Sequence, residues 1–119
     1  MDKKYNPLFT PWKIGNVEIK NRIVMCPMGG TSLFGWFELG GCHFDKEAAN
    51  LFLERANNNV GLIIPGIAPL RDTFWGKWLW QNPKMFEELK EFMDEIHKTG
   101  AKLFVQLTAG MGRSWAITE

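Results

Sequence analysis

The stretch NRIVMCPMGG, residues 21–30, decides how the rest of this chain is interpreted. It begins as a short apolar run and continues into Pro27, which has no N–H for a strand ladder. It ends in two glycines, which let the backbone approach another group closely. The pattern predicts a buried strand followed by a bare loop. Because proteins built on parallel strands bind ligands at the carboxyl ends of those strands, residues 26–30 are the first candidate site.

Two more apolar runs, residues 61–64 and 102–107, predict two further strands. The run at residues 61–64 is uninterrupted, which is typical of a strand buried on both faces of a parallel sheet. Helical spacing of apolar residues predicts helices over 45–58 and 83–99. Gly100 is expected to end the second helix in a left-handed conformation. The predicted order is strand, helix, strand, helix, strand.

Ahead of these elements, residues 12–19 predict a β-hairpin with Gly15-Asn16 as its two-residue turn. A hairpin this short is only marginally stable by itself. We therefore expect it to cover one end of the body that follows.

The spacing of apolar residues in both predicted helices indicates which faces are buried. The predicted buried positions are Ala48, Ala49, Phe52, Leu53 and Ala56 in the first helix, and Phe86, Leu89, Met93 and Ile96 in the second, with Met85 and Phe92 beside them.

The connecting loops differ in a consistent way. Those that follow helices are short, whereas those that follow strands are long and rich in glycine or aromatic residues. In barrels and in open parallel sheets alike, function lies on the side of the loops that follow strands. The roles of Trp75, Trp78 and Trp80 stay open between a substrate lid, a subunit contact and a cover over neighbouring loops.

Three parallel strands and two helices fit two architectures. A small α/β module would leave both sheet edges open and the last strand without a covering helix. A (β/α)8 TIM barrel takes about 250 residues. We therefore expect an α/β fold in which the chain is the N-terminal portion of a TIM barrel. Residues 1–20 would be a hairpin cap, and residues 21–119 the first two and a half βα units.

Composition argues against several classes of function. The net charge is +1 with scattered Lys and Arg, so there is no basic footprint for nucleic acid. No apolar run reaches the roughly 20 residues needed to span a membrane. The first residues lack the apolar core of a signal peptide, and we expect a cytoplasmic protein. Cys26 and Cys42 lack metal-ligand spacing and are predicted to be free thiols.

Residues 8–28, LFTPWKIGNVEIKNRIVMCPM, resemble the opening of the Old Yellow Enzyme family, in particular its 2,4-dienoyl-CoA reductase and clostridial 2-enoate reductase branch. The resemblance continues in residues 63–69, IIPGIAP, and 104–107, FVQL, with Gly112-Arg113 beyond. It implies an FMN-dependent TIM barrel that reduces activated C=C bonds. The branch further implies an iron–sulfur cluster, FAD and NAD(P)H in the full-length parent.

The resemblance also implies which residues contact the flavin. Gln106 would bind the pyrimidine portion, to which an amide can offer both a donor and an acceptor. Pro27, Met28 and Gly29 would lie against the isoalloxazine, and Gly66 would lie under the ring. The family's substrate anchors, proton donor and phosphate-binding loops belong to later strands. No catalytic residue and no metal ligand is therefore predicted within these 119 residues, and the fragment alone is expected to be inactive.

The function predicted for the parent is transfer of hydride from FMN, reduced by NAD(P)H, to an unsaturated enoate, acyl or enone substrate. One alternative is a flavin NADH oxidase or demethylase of the same fold. Another is a non-enzymatic α/β binding module whose Trp-rich loops hold a partner. The small-molecule substrate, the preference for NADH or NADPH, and the formation of a homo-oligomer are left open by the sequence.

Overall fold

The computed structural model describes residues 2–28, 44, 46–66, 68–69 and 83–108. The chain begins with a 3-10 helix, Lys3–Phe9, followed by strands β1 (Trp12–Ile14) and β2 (Val17–Ile19). These two strands pair antiparallel, with Trp12 opposite Ile19. Gly15 in the turn has φ +56°, a left-handed conformation that glycine adopts readily. The predicted hairpin and its turn are confirmed.

The N-terminal segment is attached to the start of the first barrel strand through Arg22. The Arg22 backbone N–H donates to the carbonyl oxygen of Leu8 at 2.8 Å. The Arg22 guanidinium lies over the Trp12 ring, 4.2 Å from its centroid, and Nε donates to Thr10 Oγ1 at 3.2 Å. These contacts fix the hairpin against the chain that leaves it.

A parallel sheet forms the centre of the fold. Its strands are β3 (Val24–Met25), β4 (Leu62–Ile63) and β6 (Lys102–Leu103), in that spatial order. All three lie within the predicted strands, and their parallel direction is as predicted. The central strand β4 is buried on both faces, with Leu62 at 3% and Ile63 at 0% exposure.

A second, two-residue parallel ladder was not predicted. It joins β5 (Ala68–Pro69) to β7 (Leu107–Thr108). Ala68 is five positions after Ile63, but Leu107 is four positions after Leu103, so the second strand carries one extra residue between the two ladders. That segment includes Pro65, which has no N–H to donate. The third strand is therefore paired in two short pieces rather than continuously over 102–107.

Helices α1 (Lys46–Asn57) and α2 (Pro83–Lys98) pack against the sheet. Gly100 has φ +78°, which confirms the predicted left-handed position after α2. Asp45, where the first helix was predicted to begin, lies outside the described residues. The core shared by helices and strands comprises Ala49, Phe52, Ala56, Ile63, Ala68, Met85, Phe92, Ile96 and Ala101.

The predicted buried face of α2 needs one correction, at Phe86. Met85 is fully buried, whereas Phe86 is 52% exposed. The buried face passes through Met85, Phe92 and Ile96, with Leu89 packed at its margin. Phe86 is rotated by about 100° from Met85 around the helix axis, which turns it away from this face.

Asn21 connects the first strand to the loop before the second. It is 4% exposed, the buried polar side chain of the described residues. Its Nδ2 donates to the carbonyl oxygen of Asn59 at 2.6 Å, and its Oδ1 accepts from the Ile23 N–H at 3.0 Å. A Cβ at Gly61 would collide with Asn21 Oδ1. Glycine at position 61 therefore makes room for this buried amide.

Candidate functional site

The parallel sheet brings the carboxyl ends of three strands to one edge. Met25, Ile63 and Leu103 are paired side by side across the sheet. Beyond them, the Ile64 N–H donates to the carbonyl oxygen of Met25 at 3.0 Å, and the Phe104 N–H donates to that of Ile63 at 2.9 Å. The strand ends are thus held together by hydrogen bonds and do not splay apart.

Three of the five predicted flavin-contacting residues lie at this edge, each the same number of residues past the last paired position of its strand. Met28, Gly66 and Gln106 each stand three residues beyond the paired position of their own strand. The described pairs do not extend to these three residues, because the next pairing, of Ala68 with Leu107, shifts the second strand by one residue relative to the third. Sequence alone could assign them to strand ends but could not give this change of register.

Pro27 and Met28 form the first part of the candidate site. Pro27 is half-buried, and Met28 is 54% exposed. Neither residue carries a charge, so together they offer an apolar surface next to the strand end. The thiol of Cys26, immediately before them, is free and exposed. Gly29, the fifth predicted residue, lies outside the described residues.

Gly66 forms the second part of the site. It is buried and follows Pro65, which is also buried. Gly66 has no side chain, so it adds no bulk at the edge between the first and third strands. The backbone there can approach a flat group closely.

Gln106 forms the third part and supplies its polar side chain. The residue is exposed, so its amide can be reached from the strand edge. Its backbone is held in place, because the Ala68 N–H donates to the Gln106 carbonyl oxygen at 2.8 Å. Sequence reasoning missed this contact, since the residues around Ala68 carry no strand-like periodicity.

The polar group that Gln106 brings to this edge is an uncharged amide. Within the described ranges, no three His, Cys, Asp or Glu side chains are grouped so that they could hold a metal ion. None of the helices in the described part of the chain is long and apolar enough to cross a membrane. The aromatic loop with Trp75, Trp78 and Trp80 lies outside the described residues, as do Cys42 and Arg113.

Comparison with known proteins places this geometry in a family. Residues 7–116 match the NADH:flavin oxidoreductase / NADH oxidase family. The chain is 36% identical over 120 aligned residues to a cinnamate reductase from Clostridium sporogenes, covering 95% of this chain and 17% of that protein. It is 34% identical over 106 residues to an NADPH dehydrogenase from Bacillus velezensis, covering 84% of this chain and 29% of that protein. The chain thus spans less than a third of either relative.

Solved structures support the same fold. The old yellow enzyme from Trypanosoma cruzi matches with a TM-score of 0.69 at 26% identity, over 90% of this chain and 28% of that chain. A 2-naphthoyl-CoA reductase matches with a TM-score of 0.68 at 22% identity, over 89% of this chain and 16% of that chain, which supports the fold alone. With the parallel order of β3, β4 and β6, these matches confirm the predicted partial α/β barrel. The chain belongs to the NADH:flavin oxidoreductase / NADH oxidase family and forms an N-terminal part of its barrel.

Proposed function

We propose that the full-length protein is an FMN-dependent ene-reductase that reduces activated C=C bonds with NAD(P)H. The observation that supports this proposal is the match of residues 7–116 to the NADH:flavin oxidoreductase / NADH oxidase family, and Met28, Gly66 and Gln106 lie just beyond the paired ends of the three parallel strands. Within the proposed barrel, residues 1–20 are the hairpin cap and residues 21–119 are the first two and a half βα units.

The chemistry of these residues fits a flavin. An isoalloxazine has apolar faces and a pyrimidine edge that carries both hydrogen-bond acceptors and a donor. Gln106 matches that edge, because its amide NH2 can donate to a ring carbonyl while Oε1 accepts from the ring N–H. A carboxylate or an ammonium could supply only one half of this pattern. Pro27, Met28 and Gly29 supply apolar and backbone surface for the ring, and Gly66 leaves space beneath it.

The division of labour follows from this arrangement. A bound flavin supplies the hydride, and the protein supplies binding, orientation and exclusion of water. Gln106 would fix the rotation of the ring in its plane, and the backbone bond from Ala68 supports this role by holding Gln106 in position. Pro27 and Met28 would cover part of the ring and limit access of water to it.

We propose an α,β-unsaturated carboxylate as the substrate class, since the chain is 36% identical to a cinnamate reductase. NADH oxidase activity is the second candidate, because the family description includes it. The test is anaerobic and aerobic NADH consumption by the full-length protein with cinnamate or crotonate, with methylamines as a control for demethylation. Anaerobic turnover that depends on enoate supports the ene-reductase, whereas turnover supported by oxygen alone supports the oxidase.

For the full-length protein we also propose two further cofactors, an iron–sulfur cluster and FAD. We further propose that it is cytoplasmic and forms a homo-oligomer. Quantifying iron, acid-labile sulfide and the ratio of FAD to FMN released from the purified protein tests the cofactors. If the protein contains FMN but neither iron nor FAD, the two additional cofactors are ruled out while the ene-reductase proposal still stands.

A further inference from the structure

Lys20 lies where the hairpin meets both helices. It directly follows β2, and the residue is half-buried. The Lys20 Nζ donates to the carbonyl oxygen of Thr99 at 2.8 Å and to that of Ala56 at 3.4 Å. Its methylene stem passes Gly100, where a Cβ would be 3.4 Å from Lys20 Cδ. One ammonium group therefore contacts the carboxyl ends of two helices.

Both acceptors are suited to a cation. The last carbonyls of a helix have no partner within that helix, and they carry the negative end of its macrodipole. Ala56 lies in the last turn of α1, and Thr99 directly follows α2. An ammonium has three donors, so Lys20 can serve both helix ends at once.

These bonds join parts of the chain that are distant in sequence. Ala56 is 36 residues from Lys20, and Thr99 is 79 residues away. The neighbouring Asn21 makes a comparable long-range bond to Asn59, but with a neutral amide. Of these two adjacent residues, Lys20 is the charged one, and its ammonium group contacts the ends of both helices.

We propose that Lys20 is a charge-dependent clamp that holds the carboxyl ends of α1 and α2 against the hairpin. Without the ammonium, the carbonyl oxygens at both helix ends lose their hydrogen-bond donor, and the helix ends open more often. The clamp lies at the end of the strands opposite to Gln106, and it does not depend on the proposed flavin chemistry.

Hydrogen–deuterium exchange of the full-length protein tests the clamp, with Lys20→Met removing the charge and Lys20→Arg keeping it. Lys13→Met is the matched control, since Lys13 is an exposed lysine on β1. We expect Lys20→Met to raise amide exchange in both residues 55–61 and 96–102 by roughly three- to thirtyfold, the range set by a cation at a helix C-terminus. Lys20→Arg should stay closer to wild type in both segments, and Lys13→Met should match wild type.

Three results would overturn the clamp. The first is a rise in exchange at one helix end only, the second is no rise at either, and the third is an equal rise in Lys13→Met. Exchange in Lys20→Arg equal to that in Lys20→Met would remove its dependence on charge. Because the readout requires no flavin, its failure is distinguishable from failure of the ene-reductase proposal.

Discussion

The backbone N–H of Ala68 donates to the carbonyl oxygen of Gln106 at 2.8 Å, and this bond ties the ends of the second and third barrel strands together. It lies just beyond the segment in which the second strand carries one extra residue relative to the third. The extra residue falls around Gly66, so the chain bends where we propose that a flavin ring is held. Gln106 is thus an exposed side chain on a backbone held by hydrogen bonds.

Replacing Gln106 should weaken flavin binding. Gln106→Leu replaces the amide with an apolar side chain of similar size. We expect the Kd for FMN to rise roughly ten- to hundredfold, because leaving buried polar partners without hydrogen bonds costs about 1–3 kcal/mol. Titrating the apo form of the full-length protein with FMN, followed by flavin fluorescence, measures the change.

Asn58→Leu is the matched control for that experiment. It also removes an exposed amide, one whose Nδ2 donates to the Glu54 carbonyl oxygen at 2.8 Å at the opposite end of the fold. We expect its affinity for FMN to equal that of the wild type. An equal loss of affinity in both variants would show that Gln106 acts on stability rather than on the flavin.

Adding a methyl group at Gly61 should destabilise the fold. The new Cβ would collide with the buried Asn21 side chain, so either the amide or the backbone must move. We expect Gly61→Ala to lower the free energy of unfolding by about 1–3 kcal/mol, as is typical of overpacking. Gly15→Asn is the control, because nothing lies within 4 Å of that position and Asn tolerates its left-handed φ. Equal urea midpoints for Gly61→Ala and wild type would refute the steric argument.

Two phenylalanines on the helices should respond differently to the same truncation. Phe52 is fully buried, whereas Phe86 is 52% exposed. We expect Phe52→Ala to cost about 3–5 kcal/mol of unfolding free energy, through lost burial and the cavity left behind. Phe86→Ala should stay within about 1 kcal/mol of wild type. If thermal and urea unfolding showed that Phe86→Ala loses as much unfolding free energy as Phe52→Ala is expected to lose, the assigned buried face of α2 would be wrong.

The 119 residues by themselves should not sustain catalysis. No catalytic residue is predicted within them, and Val105 and Leu107 on the third strand are 51% and 57% exposed. We expect no steady NADH consumption above the rate without protein, with FMN and an enoate both supplied. Measurable turnover by this fragment would mean that the catalytic groups have been misplaced.

The sequence predicted those elements whose signals are local. Gly15-Asn16 specifies a hairpin turn by its own conformational preference, and α1 repeats its apolar residues at helical spacing. Phe86 was assigned wrongly because the apolar stripe of α2 is broad enough to permit two faces. The ladder between Ala68–Pro69 and Leu107–Thr108 was not predicted, because a strand of two residues is too short to show a repeating pattern of apolar residues.

The predicted site residues stay a prediction, and the geometry around them could not be predicted from the sequence. Resemblance to a family singled out Gln106 and Gly66, and the strand ends gave their position along the chain. The register between strands about 40 residues apart, including its shift by one residue before Ala68, is not encoded by any local pattern. The buried state of Asn21 was likewise missed, since its acceptor at Asn59 is 38 residues away.

A crystal structure of the full-length protein with FMN bound would test the central claim most directly, through the distance from the Gln106 amide to the pyrimidine edge of the flavin. We predict a contact of about 2.7–3.2 Å between the Gln106 side chain and that edge, with Gly66 beneath the ring. A flavin at the amino ends of the strands, or one that Gln106 does not touch, would contradict the account.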